Sequence, residues 1–267
     1  MPNTENFVLI TGATSGIGLE LAKLFAKDGH NLVIVARSEN ELRETATDLQ
    51  QQFGVQVVPI SRDLMETNAP FELYEDVTSQ GLVIDILVNN AGQGQYGEFV
   101  ETDLNREIDI IQLNITSLVV LTKLFLKDMV TRNSGKILNV TSIAGKLPGP
   151  LQAVYHGTKA FAHSFSEAIR NELKDTGITV TSLLPGPTDT DFFNKADMQE
   201  AKNVKEGSLS DPADVAKDGY DALMKGDDMV VSGFKNKVQV AMSNVTPDSM
   251  VAGMVHKQQE PVDENKR

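Results

Sequence analysis

The chain has 267 residues, carries 24 Lys+Arg against 37 Asp+Glu for a formal charge of −13, and contains no cysteine. The length suits one large domain or two small ones. The acid excess argues against a partner that is nucleic acid or anionic lipid, and the lack of cysteine removes disulfides, thiol nucleophiles and thiolate-held metals.

Short apolar runs alternate with helical patterns along the chain. Residues 7–11 (FVLIT) form an apolar run ended by Gly12, and 17–28 show helix spacing, with Ile17, Leu21, Leu24 and Phe25 on one side. A strand follows at 31–36, then a helix at 39–53 with Ser38 as N-cap and Glu41 in the capping-box position. A third strand is expected at 56–59, a helix at 70–80, and a strand buried on both faces at 84–89. The spacing then predicts a long helix over 104–131, a strand at 136–142, a helix at 153–174 and a strand at 179–184. Asp211-Pro212 opens a helix to 225, with Pro at its first position, and 229–232 is a last strand. Alternation from end to end implies right-handed βαβ units and an α/β doubly wound, mostly parallel seven-stranded sheet with helices on both faces. Nothing splits the chain, so 1–267 reads as one domain. Two stretches fall outside the pattern: a 25-residue connection at 185–209, far longer than usual, and a mixed tail at 235–267 whose last part, 257–267, looks frayed.

The four histidines, His30, His156, His163 and His256, make no metal spacing, so no metal is expected. No apolar run approaches the roughly 18 residues of a membrane span, and residues 1–6 lack a leader pattern. The expected location is the cytoplasm, where the sequons at Asn114, Asn139 and Asn244 are chance matches.

The first chemistry lies where the first strand feeds the first helix. Gly12, Thr14, Ser15, Gly16, Ile17 and Gly18 belong to a T-G-x-x-x-G-x-G turn, which lets backbone approach a pyrophosphate at a helix N-terminus. After the second strand stands Arg37, where an acidic residue would accept from the ribose hydroxyls of NAD; an arginine suits a 2′-phosphate, with Ser38 as a second donor.

With TGATSGIG at 11–18, Asp63 after the third strand, NNAG at 89–92, Asn114, Ser142, YHGTK at 155–159 and PGPTDT at 185–190, the chain resembles the single-domain short-chain dehydrogenases/reductases over about residues 7–234. The resemblance implies that Asp63 and Leu64 contact adenine. It places Asn90, Ala91 and Gly92 along the cofactor beside the fourth strand, with Tyr155 and Lys159 also against it. Pro185, Gly186 and Thr188 would close over the nicotinamide, and Asn114 would hold a water linking Lys159 to solvent.

The catalytic set has its own physical reading. Reducing a ketone by hydride transfer leaves an alkoxide that needs a proton, and a free tyrosine is a poor acid–base group near neutrality. Tyr155 and Lys159 are four apart on a predicted helix and share a face, so the ammonium is expected to lower the pKa of the phenol. Ser142 can fix the substrate oxygen near it. His156 lies about 100° around the helix and points to a packing or subunit surface. Phe192, Phe193 and Met198 read either as loop core or as a mobile apolar lid within 188–209, where this family covers substrate, and GQYG at 94–97 reads either as a plain turn or as placing Tyr96 near the pocket mouth.

The leading reading is an NADP(H)-dependent oxidoreductase interconverting a small-molecule ketone or aldehyde and its alcohol, with NAD(H) as a weaker cofactor. The alternative is a non-catalytic NADP(H)-binding sensor or scaffold, which would have no need of a proton-donating tyrosine. An epimerase of the extended branch needs a longer C-terminal domain. An acyl-carrier substrate is ranked below a free small molecule because no basic cluster is evident near the lid. The long helices at 104–131 and 153–174 pair across a two-fold axis in this family, which implies a homodimer or homotetramer.

Overall fold

The computed structural model describes residues 6–262. Seven strands form one sheet in the order β3-β2-β1-β4-β5-β6-β7, every neighbouring pair parallel. In chain order the first half runs β1 (Asn6–Thr11), α1 (Gly16–Lys27), β2 (Asn31–Ala36), α2 (Glu39–Phe53), β3 (Val57–Ser61), α3 (Ala69–Ser79) and β4 (Val83–Asn89). The second half runs α4 (Leu104–Ile111), a π-helical turn (Gln112–Ser117), α5 (Leu118–Arg132), β5 (Gly135–Val140), a 3-10 turn (Ile143–Lys146), α6 (Ala153–Glu172) and β6 (Ile178–Leu184). It closes with α7 (Phe192–Lys195), α8 (Lys202–Lys205), α9 (Pro212–Lys225), β7 (Met229–Val231), α10 (Phe234–Ser243) and α11 (Asp248–Gln259).

Successive strand residues point to opposite faces, and both faces are covered, which explains the unbroken apolar runs. In β1, Val8 and Ile10 join the core under α1, α2 and α9, with Leu21, Phe25, Leu42 and Val215. Phe7 and Leu9 join the core under α3 and α5, with Leu73, Leu121, Phe125 and Met129. Burying side chains such as Phe25 and Phe125 contributes about 1.5–3 kcal/mol each, so each face has its own substantial anchor. Strand β3 is longer than the expected 56–59 and includes Pro59, which is tolerated because β3 is an edge strand.

The stretches outside the alternation have structure of their own. The 185–209 connection carries α7 and α8, and Ala196, Met198 and Ala201 pack with Tyr96, Phe192, Phe193 and Val204. The tail is mostly α10 and α11, and residues 257–259, expected to fray, finish α11; residues 263–267 lie outside the described part. The helical run Leu104–Arg132, 29 residues with mean hydropathy 1.5 over its best 18-residue window, is long and apolar enough by length and composition to cross a membrane. Its apolarity has a packing explanation, since 44% of that window is buried and Leu121, Phe125 and Met129 sit in the core.

The order of strands reverses between β1 and β4: β2 and β3 extend one way from β1, and β5 to β7 extend the other way from β4. Ligands in such sheets lie in the crevice at the carboxyl ends of the strands around this switch.

Candidate active site

A cavity of about 740 Å³ opens at that crevice and continues under α7 and α11. Its near end is the glycine turn. Gly12 sits at φ +66, which favours glycine, and a Cβ at Gly18 would run into the Gly12 carbonyl oxygen, so helix α1 can start hard against the turn only with glycine there. Asn90 fastens the turn, its Nδ2 donating to Thr11 O (2.9 Å) and Gly12 O (3.0 Å). Thr11 Oγ1 accepts from the Asn90 and Ala91 amides, both at 3.0 Å. Thr14, Ser15, Gly16 and Ile17 line the cavity at the positive end of α1, where Ser15 caps the helix without a side-chain bond to it. Gly18 lies behind the lining.

Arg37, Ser38, Asp63 and Leu64 line the next wall. Arg37 Nη1 stands 4.0 Å from Asp63 Oδ2, with the arginine side chain half exposed. Ser38 Oγ accepts from Glu41 N (3.4 Å), which confirms the N-cap and leaves its hydroxyl proton available. Sequence reasoning missed Arg62 and Glu41 on this wall. Arg62 is held by Asp76 and Glu72, so it is the less available of the two arginines.

Across the crevice, Ser142 follows β5, and its Oγ accepts from Ala144 N (3.0 Å), which directs the hydroxyl at the start of the 3-10 turn. Tyr155 and Lys159 lie one turn apart on α6, with Lys159 Nζ 5.9 Å from the Tyr155 ring centre. Lys159 Nζ donates to Val140 O at 2.9 Å. Asn114 lies in the π-helical turn, the kind of widened turn found at functional sites. Its Nδ2 donates to Gln93 O (2.8 Å) and Thr158 Oγ1 (2.9 Å), and its Oδ1 accepts from Gln93 N (3.1 Å). A Cβ built on Gly92 would lie 3.1 Å from Lys159 Nζ and 3.3 Å from Asn114 Oδ1, so the amide and the ammonium flank one spot. Asn114 itself stands behind the lining. Ala91, Gly92, Pro185, Gly186 and Thr188 line the cavity between these groups.

The electrostatics depart from the sequence expectation. Burial pushes the Tyr155 phenol up to about 12, and the Ser142 hydrogen bond, which favours the anion, offsets only part of that. Burial pulls Lys159 down to about 8. Desolvation opposes both charges, and the ammonium, turned toward Val140 O, does not outweigh it at the phenol. A proton therefore rests on Tyr155 throughout the neutral range, which suits a proton donor.

His156 is buried, as a packing position would be, and it also lines the cavity, its Nδ1 2.8 Å from Leu147 O. One placement is corrected. Tyr96 is not at the mouth: its hydroxyl donates to Gln259 O (2.5 Å), behind α11. Phe192 lies with its ring 5.0 Å from that of Tyr155, and Phe193 and Met198 join it in the lining. Gln152 and Gln259 also line this end; the tail gave no motif by which Gln259 could have been found.

The family profile described as short chain dehydrogenase matches residues 6–201. The chain is 37% identical over 190 residues to the very-long-chain 3-oxoacyl-CoA reductase of Rattus norvegicus, a match covering 69% of this chain and 60% of the rat protein. It thus spans less than two thirds of that relative's length. It is 31% identical over 207 residues to an uncharacterized oxidoreductase of Staphylococcus epidermidis, covering 78% of this chain and 88% of that one. Among solved structures, a short-chain dehydrogenase from Sphingobium yanoikuyae in complex with NADPH is 27% identical, with a TM-score of 0.82 over 97% of this chain and 99% of that chain.

Proposed function

The chain belongs to the short-chain dehydrogenase family of oxidoreductases, and from that premise we propose that it is an NADP(H)-dependent reductase of small carbonyl compounds, reversible toward the alcohol. The observation that carries this reading is the convergence of Ser142, Tyr155, Lys159 and Asn114 at one end of a crevice whose other end is a glycine turn beside Arg37. The residues fit NADP(H): Gly12, Thr14, Ser15, Gly16 and Ile17 line the cavity at the N-terminus of α1, where a pyrophosphate is favoured, and Arg37 with Ser38 suits a 2′-phosphate. NAD(H), which lacks that phosphate, is the weaker partner. The nicotinamide, when bound, supplies or accepts the hydride.

The chain's own residues do the rest. Ser142 donates to the substrate oxygen and holds it against Tyr155. Tyr155, protonated because burial holds its pKa high, passes its hydroxyl proton to the alkoxide oxygen as that charge develops. Lys159 stabilises the phenolate left behind, and Asn114 holds the water through which the proton is replaced. Phe192 excludes bulk water from the reacting atoms. A sensor would gain nothing from this set.

The names of the rat relative and its kin favour a second substrate reading, a 3-oxoacyl thioester. Lysines do stand on the lid helices, Lys195, Lys202 and Lys205, but Lys195 pairs with Asp191 and Lys205 with Glu200, so a free small molecule remains the better fit. The test is a panel of ketones and aldehydes together with acetoacetyl-CoA, followed by NADPH absorbance, with Tyr155→Phe as the blank. Oxidation of NADPH by small ketones above the blank is expected. Turnover confined to the thioester would move the assignment to the second reading, and turnover with no substrate would end it.

A further inference from the structure

We propose that Gln152, His156 and Gln259 form a substrate subsite that takes an uncharged group able both to donate and to accept a hydrogen bond, a hydroxyl above all, so that hydroxy-carbonyl compounds are preferred over plain ketones and 3-oxo thioesters. The inference rests on the carbonyl-reductase reading and names the substrate class of that same site.

Gln152 caps the start of α6, one turn ahead of Tyr155, and His156 follows one turn after Gln152. Gln259 ends α11 and reaches the same place from the opposite side. All three line the cavity, with Gln152 4% exposed, Gln259 5% and His156 6%. The ring of His156 fixes the polarity of the group. Its Nδ1 faces Leu147 O at 2.8 Å, and a carbonyl can only accept, so Nδ1 carries the hydrogen. Burial disfavours the charged ring, and Nε2 is therefore an acceptor. Gln259 Nε2 approaches both His156 Nε2 and Gln152 Oε1 at 3.4 Å, which orients both amides.

That arrangement leaves one donor and one acceptor. Gln152 Nε2 and Gln259 Oε1 are buried and have no hydrogen-bond partner among the described residues. Buried side-chain polar groups are overwhelmingly paired, so a donor and an acceptor at this end of the cavity are left for a ligand to meet. A hydroxyl has both capacities, accepting from Gln152 and donating to Gln259. A ketone or thioester carbonyl can only accept and leaves Gln259 Oε1 bare, an alkyl group leaves both bare, and an ammonium cannot accept. The subsite is closed by the same parts that close the pocket, because Lys202 N donates to Glu260 O and Val262 N to Glu200 O, each at 3.0 Å, joining the lid to the end of α11.

The experiment compares kcat/KM with NADPH for 4-hydroxy-2-butanone and 5-hydroxy-2-pentanone against their near-isosteres 2-pentanone and 2-hexanone, in wild type, Gln152→Met and Gln259→Met. Wild type should favour a hydroxy ketone by about tenfold or more, since sites built to hydrogen-bond a hydroxyl reject its absence strongly. Each methionine variant, similar in volume but without the polar atom, should cut that ratio by about fivefold or more. The wild-type ratio needs no variant to fold. Equal turnover of hydroxy and plain ketones in wild type, or a preference unchanged in both variants, overturns the subsite alone. Failure of all four ketones overturns the small-carbonyl reading and the subsite with it.

Discussion

Replacing Arg37 with Asp should reverse the cofactor preference, and the size of the change follows from where Arg37 sits. A charge-assisted hydrogen bond contributes about 1.5–3 kcal/mol. Arg37 is half exposed and 4.0 Å from Asp63, so solvent screening applies and the lower end is appropriate. At 4 Å a unit pair is worth about 1 kcal/mol in water and about 4 kcal/mol at a protein surface, which brackets the same figure. About 1.5 kcal/mol is roughly a tenfold preference for NADPH over NADH in wild type. The neighbouring basic side chain, Arg62, is occupied by Asp76 and Glu72, and the glycine turn has Thr14 and Ser15 without a cation, so little adds to Arg37. In Arg37→Asp the contact is lost and a carboxylate faces the 2′-phosphate, while the ribose hydroxyls of NADH gain an acceptor; the ratio should invert. The assay is kcat/KM for both cofactors in both proteins. A wild type that prefers NADH, or a ratio unmoved by the substitution, would show that Arg37 is a solvated surface residue and refute the reasoning.

The depressed Lys159 sets a signed pH dependence. Between about 8, its value in the fold, and about 10.4, the ordinary value, the unfolded chain binds more protons at this position, so this residue's contribution to stability rises with pH across that window. The melting temperature of Lys159→Met should therefore exceed that of wild type most at neutral pH, with a difference that shrinks toward pH 10, as differential scanning calorimetry would record; a constant difference contradicts the burial argument. Amide exchange without ligands should be faster through 188–209 than through α6, but slowed at Lys202, whose amide is bonded to Glu260 O; uniform protection across the segment would count against a lid. Leu104, Ile108 and Phe161 expose large apolar surface on α4 and α6, and light scattering at micromolar concentration should report a homodimer or homotetramer, a monomer being the contrary result.

What the sequence revealed and what it hid divide along physical lines. The strands were legible because a sheet covered on both faces writes itself as unbroken apolar runs such as FVLIT and ILVN. The glycine turn and the Tyr155–Lys159 pair were legible because a strand-to-helix turn and one turn of α6 fix them locally, whereas Ser142, on another element, was legible only through the family resemblance. The widened turn around Asn114 was hidden, since a single extra residue per turn leaves no mark in periodicity. For His156 only the packing position was legible: its rotation from Tyr155 was right, but α11 and the 185–209 segment carry the cavity round to that second face, and contacts between residues 152 and 259 are invisible to local pattern. The pKa of Tyr155 was expected to fall because the ammonium was counted and the burial was not.

The most direct test of the central claim is Tyr155→Phe, which removes one hydroxyl and leaves the ring packed against Phe192. NADPH binding, followed by fluorescence titration, should stay within a few-fold of wild type, because the glycine turn and Arg37 are untouched. Carbonyl reduction should fall by about 10²–10⁴-fold, the range that positioned acid–base groups contribute. Binding preserved with turnover lost is the predicted result; turnover within a few-fold of wild type would contradict the assignment of Tyr155 as the proton donor.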